Sequence, residues 1–239
     1  MKYRIKSNEN LTPLVLKMVL EGDTSRISAP GQFVNIEIPG KFLRRPISIC
    51  DWNEDTITIV YRIVGEGTRE MSEMKAGESL ELLSGLGNGF RLMECSKKPL
   101  LVGGGVGLPP MLGLAKAFIA KGIKPIVVAG FASDKDVILE KEFAKEGLEL
   151  KIATMDGSRG VKGTVMEIIK NEDFDSFYAC GPKPMLKALS ELEKPGLLSV
   201  EERMGCGFGV CMGCTCKTKN GLRRVCKDGP VFDKEDMVW

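Results

Sequence analysis

The chain has 239 residues, a formal net charge of +2 and 43% hydrophobic residues, which is typical of an ordinary globular protein. The near-neutral charge argues against a nucleic-acid-binding surface, and no run of about 18 apolar residues predicts a membrane span. The N-terminal stretch MKYRIKSNEN lacks the apolar segment of a signal peptide, so we expect a cytoplasmic protein. The absence of histidine excludes histidine acid–base catalysis, Rieske-type ligation and histidine-containing zinc sites.

The first region, residues 1–97, is predicted to form a small antiparallel β-barrel. Its apolar residues come in short runs that alternate or are β-branched, with turn residues between them. The runs are LVLKMVL (14–20), FVNIEI (33–38), ISICDW (47–52), TITIVYRIV (56–64) and SLELL (79–83). Only one helix is predicted here, around residues 68–74. Several short strands at this spacing favour a barrel or sandwich.

Two further regions follow the barrel. In residues 98–196, strand and helix patterns alternate, which predicts a parallel sheet with helices on both faces. Residues 197–239 are rich in glycine and cysteine and have little capacity to bury a core, so this small domain is expected to need a cofactor for order. The predicted fold is therefore multidomain, β plus α/β.

The cysteines of the third region have a distinctive spacing. Cys206, Cys211 and Cys214 follow C-x4-C-x2-C, and Cys226 comes after 11 intervening residues. This is the plant-type [2Fe–2S] pattern. Cys216 lies two residues beyond Cys214, on the same face of a predicted strand, and is the one rival ligand. The spacing favours Cys214.

A predicted turn indicates how these cysteines come together, and one other kind of metal site is the alternative to the cluster. Asn220-Gly221 predicts a type I′ hairpin turn that would return the chain and deliver Cys226 to the other three. A structural four-cysteine zinc site is the alternative. Such sites usually pair their cysteines in two short C-x2-C knuckles, which this loop does not.

A glycine run in LLVGGGVGLPP lies where a predicted strand meets a helix. There, backbone amides and the helix N-terminus can approach a pyrophosphate. The pattern departs from G-x-G-x-x-G, because the third glycine is absent, and a tight strand–helix turn without ligand is the alternative. A second turn, CGP, ends a strand at the same sheet edge, and two converging turns favour a nucleotide site. The candidate residues are Gly103, Gly104, Gly105, Gly107, Gly181 and Pro182.

The barrel carries a third candidate motif, RRPISI (44–49). Arg45 suits a phosphate and Ser48 a ring nitrogen, although an edge strand with an exposed arginine gives the same pattern. GEGT (65–68) opens the predicted barrel helix and is another candidate phosphate site.

Taken in order, RPIS, GEGT, GLGNGF, GGGVGLPP, CGPKPM and the cysteine loop resemble the ferredoxin–NADP reductase superfamily along the whole chain. The ending, EERMGCGFGVCMGCTC followed by CKDGPVF, resembles the electron-transfer subunits of B-type dihydroorotate dehydrogenases. The resemblance implies FAD in the barrel, NAD in the central domain and a [2Fe–2S] cluster in the tail. By matching position it implies FAD contacts from Arg45, Pro46, Ile47, Ser48, Val60, Tyr61, Arg62, Gly67 and Thr68.

The same resemblance implies a function. A partner subunit containing FMN would oxidise dihydroorotate, and this chain would pass the electrons through [2Fe–2S] and FAD to NAD+ in de novo pyrimidine biosynthesis. The implied assembly is a heterotetramer with two copies of each subunit. No catalytic residue is assigned, because a chain that relays electrons needs positioning more than acid–base groups.

Alternatives stay open at this point. The same module serves sulfide dehydrogenases, hydrogenases and ferredoxin reductases, and a non-redox zinc and nucleotide-binding module is a more distant possibility. The nucleotide is also open from residues alone. Asp156 suits an adenosine ribose, whereas Arg159 or Lys162 would favour a 2′-phosphate, so NAD rather than NADP rests on the resemblance.

Overall fold

The computed structural model describes residues 1–239, and its first part is a closed six-stranded barrel in the order β1-β2-β5-β4-β3-β6. Neighbouring strands are antiparallel, which confirms the predicted barrel. Its elements are β1 Lys2–Thr12, β2 Val15–Glu21, β3 Phe33–Ile36, β4 Arg45–Trp52, β5 Thr56–Arg62, α1 Glu66–Glu73 and β6 Ser79–Leu86.

The strand β1 was not predicted. Its sequence, KYRIKSNENLT, is mostly polar, and only Tyr3 and Ile5 are buried in the barrel core. The strand forms because β2 and β6 pair with its backbone on both sides, so barrel closure decides its conformation.

The second part is a seven-stranded sheet in the order β10-β9-β8-β7-β11-β12-β15. Strands β7 to β12 run parallel, as predicted. Leu101 packs with one hydrophobic core while its neighbours Leu100 and Val102 pack with another, so both faces are covered. The elements are β7 Pro99–Gly104, α2 Pro109–Ile119, β8 Ile126–Phe131, α3 Glu140–Lys145, β9 Leu150–Thr154, β10 Val161–Lys162, α4 Met166–Ile169, β11 Ser176–Cys180, α5 Lys183–Ser190 and β12 Gly196–Ser199.

The tail is fastened to this sheet rather than standing apart. It contains a hairpin, β13 Thr215–Thr218 and β14 Gly221–Arg224, and a final strand β15 Val231–Asp233. Strand β15 pairs antiparallel with β12, which itself crosses the expected boundary at residue 196. The sheet thus carries the tail at one edge.

The hairpin forms where it was predicted, but its turn differs. Thr218 pairs with Gly221, so Lys219 and Asn220 are the turn residues. Only Gly221 has a positive φ, of 99°, whereas a type I′ turn needs positive φ at both central positions. The prediction of a type I′ turn at Asn220-Gly221 is therefore wrong.

The sheet topology decides where ligands can approach. Strand β7 lies between β8 on one side and β11 on the other, so the connections from β7 and β11 leave the sheet at a point where the strand order reverses. Helix α2 packs beside the barrel strand β4, where Lys116 Nζ lies 2.6 Å from Asp51 Oδ2. The switch point of the sheet therefore faces the barrel.

No helix has the length and apolar character that crossing a bilayer requires.

Candidate functional site

A cavity of about 260 Å³ lies on the outside of the barrel, against the tail. Strands β4 and β5 supply one wall, and residues 199–204 supply another. Seven of the nine predicted flavin contacts line it, namely Pro46, Ile47, Ser48, Val60, Tyr61, Arg62 and Thr68. The structure therefore brings the motifs RPIS, VYR and GEGT to one place.

The two remaining predicted flavin residues lie together at the start of α1. The Arg45 guanidinium covers Gly67, and a Cβ on this glycine would lie 2.6 Å from Arg45 Nη2. Thr68 Oγ1 accepts the N–H groups of Val64 and Gly65, at 2.9 and 3.2 Å, and so shapes the turn. A guanidinium next to a helix N-terminus suits a phosphate.

A second cavity, of about 470 Å³, opens at the carboxyl ends of β7, β8 and β9. Among the predicted nucleotide residues it is lined by Gly104, Gly105 and Pro182. Arg62 lines both this cavity and the one on the barrel. The two cavities are therefore neighbours that share a cationic side chain.

The other glycines of the two turns have a different place. A Cβ on Gly103 would lie 2.5 Å from Leu108 Cα, and one on Gly107 would lie 2.5 Å from the carbonyl carbon of Cys180. Gly181 has a φ of +156°, and its own Cβ would lie 2.9 Å from Gly104 N. Gly107 and Gly181 let the backbones of the two turns touch, Gly103 lets its own turn fold closely against Leu108, and none of the three lines the nucleotide cavity.

Sequence reasoning missed the apolar wall of this cavity. Phe131 ends β8, Val165 directly precedes α4 and Met185 lies on α5, and all three line the cavity. Phe131 and Val165 lie outside every motif quoted from the sequence, and Met185, although it ends CGPKPM, is read from sequence as an ordinary core residue.

Two charged residues that the sequence offers for a ribose or a 2′-phosphate, Asp156 and Arg159, already have partners. Arg159 Nη2 lies 2.6 Å from Glu140 Oε2, and its Nη1 lies 3.1 Å from Asp134 Oδ1. Asp156 accepts the Ser158 hydroxyl at 2.6 Å and the Ser158 N–H at 2.9 Å, and these bonds lower the pKa of its carboxyl. A 2′-phosphate would have to compete with two carboxylates for Arg159.

The cluster loop, which we define as residues 205–214, arranges its thiols in pairs. Cys206 N donates to Cys211 Sγ at 3.3 Å, and Cys211 N donates to Cys206 Sγ at 3.5 Å. Cys226 N donates to Cys214 Sγ at 3.4 Å. A [2Fe–2S] cluster takes two protein ligands on each iron, so two pairs fit it.

Further backbone amides surround the first pair. The N–H groups of Phe208 and Val210 donate to Cys206 Sγ at 3.5 and 3.3 Å, and Gly213 donates to Cys211 Sγ at 3.5 Å. Amides that point at sulfur are the outer contacts a negatively charged cluster requires.

The thiols differ in acidity. Burial opposes ionisation of Cys206, but the N–H groups of Cys211, Phe208 and Val210 outweigh it and lower its pKa to about 6. Burial and the neighbouring Cys214 thiol raise the pKa of Cys226 to about 12. The loop therefore offers one readily ionised thiol, and the buried thiol needs a metal to lose its proton at neutral pH.

Cys216 lies outside these pairs. It sits on β13 opposite Arg223, and burial raises the pKa of its thiol. Its side chain packs in the core that includes Val225 and Phe232. The contact between Cys214 and Cys226 supports the choice that spacing favours.

One side chain joins the cluster loop to the barrel cavity. Phe33 lines that cavity and also packs in the same hydrophobic core as Cys214 and Cys226. The barrel cavity thus shares Arg62 with the nucleotide cavity, and Phe33 belongs both to its wall and to the hydrophobic core that contains Cys214 and Cys226. The barrel cavity therefore lies between the nucleotide cavity and the tail that carries the cysteines.

Known proteins match this chain in sequence. Residues 201–238 match the family described as the iron-sulfur cluster binding domain of dihydroorotate dehydrogenase B. The dihydroorotate dehydrogenase B (NAD(+)) electron transfer subunit of Fusobacterium nucleatum is 44% identical, over 98% of this chain and 96% of that protein. The corresponding protein of Geobacillus sp. (strain WCH70) is also 44% identical, over 94% and 93% of the two chains.

A solved structure agrees over the whole length. The NADH-dependent reduced ferredoxin-NADP oxidoreductase structure superposes with a TM-score of 0.88 at 29% identity, covering 99% of this chain and 90% of that one. From its full-length identity to these relatives, the chain belongs to the family of dihydroorotate dehydrogenase B electron transfer subunits.

Proposed function

We propose that this chain is the electron-transfer subunit of an NAD-dependent dihydroorotate dehydrogenase, and that it serves pyrimidine biosynthesis in the cytoplasm. The observation that carries the proposal is the place of the barrel cavity, which shares Arg62 with the sheet cavity and is walled on another side by the tail that carries the cysteines. A chain that joins a pyridine nucleotide to an iron–sulfur cluster needs a flavin site between them.

The barrel cavity would hold FAD. Ser48 and Tyr61 would face the flavin ring, while Arg45 and the N-terminus of α1 at Gly67 would hold phosphate. The fit rests on the open cavity beside a helix start that carries an arginine. The backbone of the turn is held in place by Thr68, so the phosphate amides need no rearrangement to bind.

The sheet cavity would hold NAD, with its pyrophosphate over Gly104 and Gly105 and its nicotinamide near Pro182 and the barrel cavity. Gly107 and Gly181 would support this site by letting the two turns pack in contact, and Gly103 by letting the first turn fold against Leu108. We also propose that residues 1–97, 98–196 and 197–239 act as the FAD, NAD and cluster regions, with the sheet shared by the last two.

Cys206, Cys211, Cys214 and Cys226 would hold a [2Fe–2S] cluster through their thiolates. When bound, the cluster carries single electrons, the nicotinamide exchanges two as hydride, and the flavin accommodates both. The protein's own residues position these groups and keep water from the buried pair Cys214 and Cys226. No side chain of this chain is required to take a proton from dihydroorotate, which would bind to the partner.

The partner would dock over the cluster loop. Phe208, Val210 and Met212 are 52%, 74% and 51% exposed and carry apolar side chains next to the proposed iron ligands. Exposed apolar side chains in one patch favour a protein interface. We propose that an FMN-containing subunit that oxidises dihydroorotate binds there, with two copies of each subunit in the complex.

A second assignment remains worth testing because the full-length structural match is a ferredoxin-NADP oxidoreductase. In that case the three sites would serve a different partner. The two assignments differ in the protein that would occupy the patch around Val210.

The test is to purify the chain anaerobically with whatever binds it in its native cell. We expect iron, FAD and a stoichiometric second flavoprotein that reduces NAD+ with dihydroorotate. Recovery of a different redox subunit would move the reaction elsewhere, and a chain containing zinc without iron would overturn the proposal. Val210→Asp should release the partner while iron and FAD stay bound, because a charge would be buried in an apolar interface.

A further inference from the structure

The strand β3 separates the barrel core from the tail. Val34 and Ile36 point into the core of the barrel. Phe33 and Asn35 alternate with them and therefore point out of the barrel. All four residues of the strand are buried, so its outer face is covered as completely as its inner face. The cover on the outer face comes from the tail, because Phe33 shares a core with the cysteines Cys214 and Cys226.

Asn35 makes a direct bond to the cluster loop. Its Nδ2 donates to the backbone carbonyl of Cys206 at 3.0 Å, across 171 residues of sequence. The contact is close, because a Cβ on Gly207 would collide with the Asn35 amide. Gly207 also has a φ of +79°, which favours glycine at this position. The glycine at position 207 therefore allows the loop backbone to pack directly against the Asn35 amide.

One polar atom of the buried Asn35 amide has no hydrogen-bond partner. Asn35 is 1% exposed, and its Oδ1 is the one buried side-chain nitrogen or oxygen of the chain without a hydrogen-bond partner. A buried acceptor without a donor is unfavourable, and an apolar side chain of the same size would avoid that penalty. The only hydrogen bond that this side chain makes is the one to Cys206.

We propose that Asn35 is a positioning residue that fastens the cluster loop at Cys206 to the outer face of β3, beside the FAD cavity, and so fixes the separation of the two redox sites. The proposal rests on the proposed function. Asn35 pairs with Pro46 of β4, which lines the FAD cavity, so the strand that holds the loop is directly bonded to the strand that holds the flavin.

Other contacts between the barrel and the tail lie further from the iron ligands. Asn88 Nδ2 donates to the carbonyls of Lys227 and Asp228, at 2.9 and 3.2 Å, and Asn88 N donates to the carbonyl of Gly229 at 2.7 Å. Asn88 is exposed and contacts the chain after the fourth cysteine. It is therefore a matched control, an amide that also links barrel to tail but does not touch the cluster loop.

The experiment compares Asn35→Leu and Asn35→Ala with Asn88→Ala in the loaded chain. Without its donor, the carbonyl of the half-buried Cys206 loses its only hydrogen bond to the barrel, and the loop should open more often. Loss of the cluster to a chelator, followed by bleaching of visible absorbance, should become roughly tenfold faster in both Asn35 variants. Their FAD content and Asn88→Ala bleaching should stay as in the unmodified chain.

A second readout reports the separation of the sites. After rapid mixing with NADH, flavin reduction should keep its rate in the Asn35 variants, whereas reduction of the cluster should lag behind it. If Asn35 only stabilised the fold, its variants would slow flavin reduction and cluster reduction together or leave both rates unchanged. The Asn35→Ala variant controls for the larger volume of leucine in the Asn35→Leu variant.

The outcomes are distinct. If the Asn35 variants retain FAD and match the unmodified chain in bleaching and in cluster reduction, the inference is wrong. If Asn88→Ala bleaches as fast as they do, the effect belongs to docking of the tail in general, and the inference is again wrong. If the unmodified chain itself holds no iron, the proposed function fails instead.

Discussion

Two glycine-rich loops of this chain look alike in sequence and differ in what their glycines do. In the loop at residues 103–107, Gly103 and Gly107 lack side chains because neighbouring backbone occupies that space. In the cluster loop, the amides around the glycines turn towards the sulfurs of Cys206 and Cys211. The glycines of the first loop allow close backbone packing, whereas the cluster loop is organised by hydrogen bonds to its thiols.

The comparison shows why a glycine run is a weak signal by itself. Gly105 is the one member of the first loop whose Cβ would meet nothing, with a φ of +53° and a place on the cavity wall. Its neighbours serve the contact between two turns. What makes the cluster loop specific is the spacing of its cysteines, because four thiolates at fixed positions constrain the ligand.

The largest expected effect tests the cluster loop. Cys214→Ser should reduce bound iron to background, because Cys214 is paired with Cys226, whereas Cys216→Ser should keep about two irons per chain. Iron analysis and visible absorbance of anaerobically purified protein measure both. Iron retained in Cys214→Ser and lost in Cys216→Ser would reverse the ligand assignment.

The next effect tests the packed loop. Gly107→Ala should lower the free energy of unfolding by about 3 kcal/mol, because the added methyl meets the backbone of Cys180. Gly105→Ala has open space and carries only the penalty of a positive φ, about 1 kcal/mol. Thermal unfolding of the loaded chain compares them. Equal losses in the two variants would mean that close packing does not distinguish these glycines.

The smallest expected effect concerns the choice between NAD and NADP. The loop at residues 103–107 cannot distinguish the two nucleotides, because both contain a pyrophosphate. Glu140→Gln removes the carboxylate closest to Arg159, and the freed guanidinium should raise kcat/KM for NADP+ relative to NAD+ by about tenfold. Steady-state assays with both nucleotides measure the ratio.

Glu142→Gln is the matched control for this change. Glu142 lies on the same helix, but it pairs with Lys17 at 3.0 Å and not with Arg159. Its variant should leave the ratio unchanged. A shift of equal size in both variants would point to general charge at this surface instead of release of Arg159.

Much of the site could be predicted because its signals are local. The cysteine spacing, the RPIS strand and the two turns at one sheet edge each lie within a few consecutive residues. The predicted barrel and parallel sheet are confirmed for the same reason, since alternation and strand–helix order are local patterns. The flavin, nucleotide and iron contacts of single residues stay predictions, supported by the cavities and the paired thiols.

Other features lay outside the reach of local patterns. Strand β1 is too polar to be identified as a strand until β2 and β6 pair with it. The hairpin turn at Lys219 and Asn220 takes its shape from the strand register, against the preference that Asn220-Gly221 indicated. Both are cases in which partners distant in sequence override a short-range preference.

The sequence by itself determined which chemistry the chain can bind, because thiols, glycines and arginines at fixed spacing restrict the ligands. Only the tertiary structure decided how the sites meet. Arg62 between two cavities, Phe33 beside the cysteines and Asn35 on Cys206 are contacts between residues far apart in the chain. No local pattern encodes such distances, because they arise when β3, the sheet and the tail pack into one body.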